Sequence, residues 1–344
     1  MPTPPTTVTL SALDAGHLTL PENLFITPPT TTPPTRTTVP SLSFLLHHPP
    51  TRTHLLFDLG LKRDVAAYTP AQQHHIAQRQ PLITAPDCAA SLRAGGMLDP
   101  ATDVDEVILS HVHWDHVGTS ADFPHARFVV GAGTLDVLAR GAGHLYPREL
   151  FNADEVPRGR TVELPPVPGG AVVDGDGQDG GEGGRQKGEG EGEGEEDQEE
   201  VGVRAAPVEK RTKHVWERLA GLGAAVDYFG DGSVWVVDAP GHMYGHVNLL
   251  ARVGERKWVY LGGDCCHDPR ILSGEKGIAM YDDGRGGMRS VHVDTETARG
   301  TLDRIQEFLK EKKVNGEEAE VEVVVAHDKE WREKNRHKFF PGTF

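Results

Sequence analysis

The run Val104-Asp-Glu-Val-Ile-Leu109 leads into His111-Val-His-Trp-Asp-His116, and no other stretch limits the fold of this 344-residue chain so tightly. The run is rich in β-branched residues, Asp99-Pro100 precedes it and Gly118 follows, so it predicts a buried strand ending at the cluster. A strand fixes where the side chains at its end point, which is what a rigid metal site needs. Neutral imidazole and carboxylate are preferred ligands of zinc and related ions. In a loop, His111 and His113 can serve one ion while Asp115 and His116 turn toward a second.

Charge and cysteine content narrow the remaining classes. The formal charge is −16, but residues 174–200 hold twelve acids against Arg185 and Lys187, a local balance of −10 that leaves −6 for the rest. The acidity therefore belongs to one segment. No basic stripe of the kind that tracks nucleic acid is present, so no nucleic-acid partner is expected. Three cysteines, with Cys265 and Cys266 adjacent, do not make a disulfide framework, and a reducing, cytoplasmic setting follows. Met1-Pro-Thr-Pro-Pro lacks a signal-peptide pattern, and no run approaches the roughly 18 apolar residues of a membrane span.

In chain order, apolar Val8-Thr-Leu and Leu24-Phe-Ile flank a Pro/Thr-rich stretch, 27–40, that reads as an irregular loop. Residues 41–47 and 54–59 read as two strands joined by a Pro-Pro turn, with Asp58 at the end of the second. Thr69-Pro70-Ala71 is an N-cap signal. A helix start near Asp115, a strand over 127–130 and a helix over 134–140 continue an α/β alternation. From about 168 to 207 Gly/Glu repeats replace the periodicity and predict a disordered acidic insertion. Residues 213–222 read as an amphipathic helix, followed by strands over 233–238, 247–253 and 257–262. A helix over 295–312, a strand over 321–325 and a charged helix over 330–338 complete the pattern.

Three further ligand types stand where strands finish. Residues 233–238 run into Pro240-Gly241-His242 with His246 beyond, 257–263 into Asp264, and 321–326 into His327-Asp328. A lone histidine at a strand end is more often a hydrogen-bonded loop residue than a ligand, but the set together reverses that weighting. His111-x-His113-x-Asp115-His116, Pro240-Gly241-His242-x-x-Gly245-His246, Gly263-Asp264, Ala326-His327-Asp328 and the early Phe57-Asp58-Leu59-Gly60 resemble the metallo-β-lactamase superfamily.

That resemblance implies an α/β fold, a four-layer αβ/βα sandwich forming a single domain over 1–344, with a two-metal site along one edge of the sheets. It implies that His111, His113 and His242 hold one ion, that Asp115, His116 and His327 hold the other, and that Asp264 bridges them. His246 would be a supporting residue. Asp58 would accept a hydrogen bond from a ligand imidazole. Two Zn2+ ions are expected, with Mn2+, Fe2+ or Co2+ as substitutes. Cys265 and Cys266 read as packing residues rather than ligands.

Within the superfamily the pattern is most similar to the N-acyl homoserine lactonase type. It implies a small-molecule substrate, a lactone or related cyclic ester or amide, opened by a hydroxide shared between the ions, with Asp115 as proton shuttle. Many such lactonases carry tyrosine three residues after the bridging aspartate. Here His267 stands there, and it is either a substitute donor to the substrate carbonyl or a mark of a different substrate. A glyoxalase-type thioesterase and a phosphotriesterase share the ligand pattern. An inactive metal-binding scaffold is the alternative outside enzymes.

Overall fold

The computed structural model of the chain describes residues 4–96, 98–172 and 203–344. One six-stranded sheet takes its strands in sequence order: β1 (Thr9–Pro21), β2 (Arg36–His48), β3 (Thr53–Phe57), β4 (Glu106–Ile108), β5 (Arg127–Val130) and β6 (Thr161–Glu163). The pairs β1–β2 and β2–β3 are antiparallel, and β3 through β6 run parallel. A second six-stranded sheet repeats the sequence order: β7 (Glu217–Leu219), β8 (Gly223–Asp227), β9 (Val234–Asp238), β10 (Val247–Arg252), β11 (Lys257–Leu261) and β12 (Glu320–Val324). Only its last pair, β11–β12, is parallel.

The period-2 alternation of side chains divides each sheet between two cores. Leu55, Phe57, Ile108 and Val129 meet Val234, Val236, Leu249 and Val259 between the sheets. The neighbouring residues Leu56, Val107 and Phe128 point the other way. They pack under helices α2 (Cys88–Ala94) and α3 (Thr134–Arg140), mainly through Cys88, Leu92 and Val137, while α1 (Pro70–Ala77) buries Ile76 in the cluster that holds Leu18, Phe25 and Trp114. On the far face of the second sheet, Trp235, Leu250, Trp258 and Tyr260 lie under α4 (Thr295–Glu311), which buries Leu302, Ile305 and Phe308. Helix, sheet, sheet, helix is the expected αβ/βα sandwich. A last short helix, α5 (Lys329–Lys334), follows β12.

Local chemistry explains where elements begin. Thr69 caps α1 in a reciprocal box with Gln72, Asp87 caps α2 and Asp294 caps α4. The strands over 41–47 and 54–59 appear as β2 and β3, joined at Pro49-Pro50.

Four sequence-based expectations need correcting. Residues 36–40 are not loop but the start of β2, because Arg36 to Pro40 pair with Pro21 to His17 of β1. Asp115 starts no helix; residues 114–116 form a turn closed by His116 N–H to His113 O at 3.1 Å. The segment 213–222 is not a helix. Gly221 and Gly223 adopt φ of +80° and +90°, a conformation that ends helices, and they fold β7 back on β8 as a hairpin. Of the acidic insertion, residues 173–202 lie outside the described residues, but its exit is fixed. Val203, Ala205 and Ala206 are buried. Glu163 accepts backbone N–H bonds from Gly133, Leu135 and Ala206 at 3.1, 2.8 and 2.6 Å.

Candidate metal centre

The parallel strands bring their C-terminal ends to one edge of the paired sheets. The loop after β4 carries His111 to His116, the loop after β9 carries His242 and His246, that after β11 carries Asp264 and His267, and that after β12 carries His327. The first imidazole group is a tight triangle: His111 Nε2 to His113 Nδ1 is 2.9 Å, His242 Nε2 to His113 Nδ1 is 3.0 Å, and His242 Nε2 to His111 Nε2 is 3.2 Å. Nitrogens bound at about 2.0–2.1 Å to one tetrahedral ion stand about 3.3 Å apart.

At His111 the outer hydrogen bonds show that the inward nitrogen presents a lone pair. Ser110 has one hydroxyl proton and directs it to Asp58 Oδ2 at 2.7 Å, since a carboxylate can only accept. His111 Nδ1, 3.0 Å from the same hydroxyl, must then donate, which leaves Nε2 unprotonated. His242 Nδ1 lies 3.1 Å from His292 Nδ1 and is served there. Burial, followed by the neighbouring imidazoles, drives His111 well below the usual histidine pKa, and burial likewise dominates at His113 and His242. Three buried rings whose inward nitrogens stand about 3 Å apart, with a lone pair on His111 Nε2, form a pocket suited to a cation.

The second group repeats the logic. His116 Nδ1 donates to Asp58 Oδ2 at 2.9 Å and His327 Nδ1 donates to Pro40 O at 2.8 Å. Their Nε2 atoms both stand 3.3 Å from Asp264 Oδ1, and Asp115 Oδ2 is 3.6 Å from His327 Nε2. His116 Nε2, His327 Nε2 and Asp264 Oδ1 are buried with no hydrogen-bond partner among the described residues. Asp264 Oδ2 faces the other triangle, 3.8 Å from His111 Nε2 and 3.5 Å from His242 Nε2. One carboxylate thus lies between two ligand sets, each lacking the positive charge its acceptors call for. Burial raises the Asp264 pKa, but the surrounding His116, His267 and His327 more than reverse this. Burial lowers His116, and Asp264 and Asp58 overcome it. The donor set fits divalent metal.

Asp58 carries much of the orientation. Its φ is +60°, a left-handed conformation that Asp tolerates better than most residues. The turn swings the carboxylate beneath the site, where Oδ1 also accepts Ser110 N–H at 2.6 Å. His246 Nδ1 donates to Ala239 O at 3.0 Å, and its Nε2 accepts Asp264 N–H at 3.2 Å, so it positions the central carboxylate from behind.

A cleft opens above these groups. Leu18, Leu20, Phe25, Trp114, Leu150 and Val291 make its walls, and His113, Asp115, His242, Asp264 and His267 its floor. His267 Nε2 lies 3.0 Å from Asp264 Oδ2, and its ring rests 4.8 Å from that of Phe25.

Residues 87–195 match the model of the metallo-β-lactamase superfamily, and solved structures of that fold superpose over nearly the whole chain. The chain has the metallo-β-lactamase fold. One structural relative of this metallo-β-lactamase-fold chain is an N-acyl homoserine lactone hydrolase (TM-score 0.59, 16% identity, 99% of this chain and 100% of that one). Another holds N-hexanoyl-L-homoserine at its catalytic metal centre (TM-score 0.59, 16% identity, 98% and 100%). Among curated proteins, the metallo-hydrolase mfmC of Annulohypoxylon moriforme is 29% identical over 68% of this chain and 50% of its own length. The γ-lactamase MBL2 of Gibberella moniliformis is 28% identical over 62% and 70%. The cytochrome P450 monooxygenase mpaDE of Penicillium roqueforti matches at 29% over 65% of this chain and only 22% of that protein. The chain therefore spans half or less of the length of mfmC and mpaDE.

All seven superfamily-pattern residues converge, with Asp58 and His246 behind them. Cys265 and Cys266 are buried away as packing residues. Sequence reasoning missed His292, fully enclosed against His242, and the hydroxyl of Ser110 that relays Asp58 to His111. His292 stands in Ser290-Val-His-Val-Asp, where its only signal is the alternation with Val291 and Val293. Among the described residues, no helix is long and apolar enough to cross a membrane.

Proposed function

We propose that the chain is a dinuclear metal-dependent hydrolase that opens a lactone or a related cyclic ester or amide. The observation that carries this reading is the convergence of unpartnered acceptors: His116 Nε2, His327 Nε2 and Asp264 Oδ1 on one side, and the His111–His113–His242 triangle on the other. His111, His113 and His242 would hold one ion and Asp115, His116 and His327 the other, with Asp264 available to both sets. Zn2+ suits this histidine-rich, thiolate-free set, and Mn2+, Fe2+ or Co2+ are the substitutes. The lactonase and γ-lactamase names carried by relatives support the substrate class.

Ions held there supply Lewis acidity toward the substrate carbonyl and make a water acidic enough to attack at neutral pH. The protein's own groups do the rest. The apolar walls around Phe25 and Trp114 seat the ring of the substrate and exclude bulk water. Asp115, at the cleft floor, takes the proton of the attacking water and returns it to the leaving oxygen or nitrogen. His267, where many lactonases place tyrosine, donates a hydrogen bond toward the carbonyl.

The test is metal analysis of purified protein combined with a panel of acyl homoserine lactones, aromatic lactones and lactams, a glutathione thioester and a phosphotriester. Close to two ions per chain and a preference for the cyclic esters or amides are expected. Full activity in a metal-free preparation refutes the mechanism, and a thioester preference moves the chain to the glyoxalase-type reading. Inertness toward the whole panel leaves a metal-binding scaffold.

A further inference from the structure

One wall of the cleft serves no purpose in the metal chemistry. Arg79, just past α1, is only 8% exposed and lines the cleft. Its backbone is pinned on both sides, N–H donating to Ile76 O at 2.8 Å and O accepting Thr19 N–H at 3.0 Å. Its guanidinium nevertheless has no carboxylate at ion-pair distance and no side-chain hydrogen bond among the described residues; its contact is the face of Phe25, 5.9 Å from Cζ to ring centroid. Gln72 of α1 lines the same wall. Its Oε1 accepts Thr69 N–H at 2.9 Å, and its Nε2 is buried without an acceptor.

A buried, unpaired guanidinium is rare because desolvation costs several kcal/mol that a partner charge must offset. Two donors with nothing to receive their protons, set beside Leu18, Leu20, Phe25 and the ring of His75, describe half of an anion site. Asp115 is the carboxylate that acts most strongly on Arg79, but it faces His327 at 3.6 Å. We infer that the substrate carries a carboxylate on an apolar, ring-sized body, that Arg79 grips this carboxylate through its paired N–H groups, and that Gln72 Nε2 adds a third donor. The anion site fixes which end of the substrate faces the histidines. That orientation rests on the hydrolase reading; the anion site itself does not.

The experiment compares two unreactive probes, naphthalene-2-carboxylate and its neutral amide 2-naphthamide, by calorimetric binding to the metal-loaded full chain. The acid should bind about 10- to 100-fold more tightly, as expected for hydrogen bonds to a charged group. Arg79→Gln should remove most of that advantage and Arg79→Lys should restore part of it. Equal affinities in the unaltered chain overturn the inference. So does a full acid preference in Arg79→Gln, which would place the carboxylate on the ions instead. Should Arg79→Gln fail to fold, the ratio in the unaltered chain and a severalfold narrowing in Gln72→Leu decide the matter. An acid preference that depends on Arg79, with no turnover of any lactone or lactam, would leave the anion site standing and remove the hydrolase reading.

Discussion

Replacing Asp58 by Asn changes one atom and should disarm both halves of the metal centre. Asn keeps the left-handed backbone at φ +60° as readily as Asp, so the loop need not move. Ser110 N–H, 2.6 Å from Oδ1, still requires an acceptor, so the amide oxygen must stay there. The new NH2 then takes the place of Oδ2, 2.9 Å from His116 Nδ1 and 2.7 Å from Ser110 Oγ. His116 escapes a donor–donor contact only by moving its proton to Nε2, the atom that faces Asp264. Ser110 Oγ now accepts a hydrogen bond from the amide, its own O–H turns to donate to His111 Nδ1, and His111 is pushed into the wrong tautomer as well. Losing such an outer partner typically lowers metal affinity about 10- to 100-fold, or roughly 1.4–2.7 kcal/mol. Competition with a chromophoric chelator measures it directly, and both ions should weaken. Ser110→Ala should weaken chiefly the ion at His111. Unchanged affinity for both ions in Asp58→Asn would refute the tautomer argument.

Three other outcomes follow from the packing. Glu22 accepts bonds from Thr30 and Arg270; burial alone would raise its pKa, but these partners hold it down to about 2. A depressed carboxylate stabilises the fold above its unfolded pKa, about 4.5, and loses that contribution as pH falls toward 2; the difference in urea stability between the unaltered chain and Glu22→Gln should shrink from at most about 3 kcal/mol at pH 6 to near zero at pH 2. Glu163→Ala strands three backbone donors and should cost roughly 3 kcal/mol or more, lowering the melting temperature by about 4 °C or more in a scanning experiment. A Cβ at Gly133 would meet Val172 at 3.2 Å and Val203 at 2.6 Å, so the two ends that flank 173–202 stand side by side. Replacing 173–202 by a few Gly/Ser residues should therefore leave metal content and melting temperature unchanged, and a large fall in either would give that segment a role.

The site was legible in the sequence because its residues are short-range or punctuate strands. His111 to His116 need only a strand before them, and His242, Asp264 and His327 each follow an apolar run that could be little else. What escaped was everything set by contact across the fold. Nothing local marks His292 as the neighbour of His242, or Ser110 as a relay. Arg79 reads as an ordinary polar residue after a helix until Thr19 and Phe25 close over it. The misread segment 213–222 failed for a related reason: its apolar residues suit either period, and the glycines at 221 and 223 decided in favour of a hairpin. Residues 36–40 are strand only because β1 is long enough to reach them.

Because each sheet is threaded in strict sequence order, the candidate ligands divide by half-chain: His111, His113, Asp115 and His116 from the first, His242, Asp264 and His327 from the second. Metal here would act as a rivet between two separately wound halves. Chelation should then loosen the seam between them before it melts either one, so that a single unfolding transition splits into two.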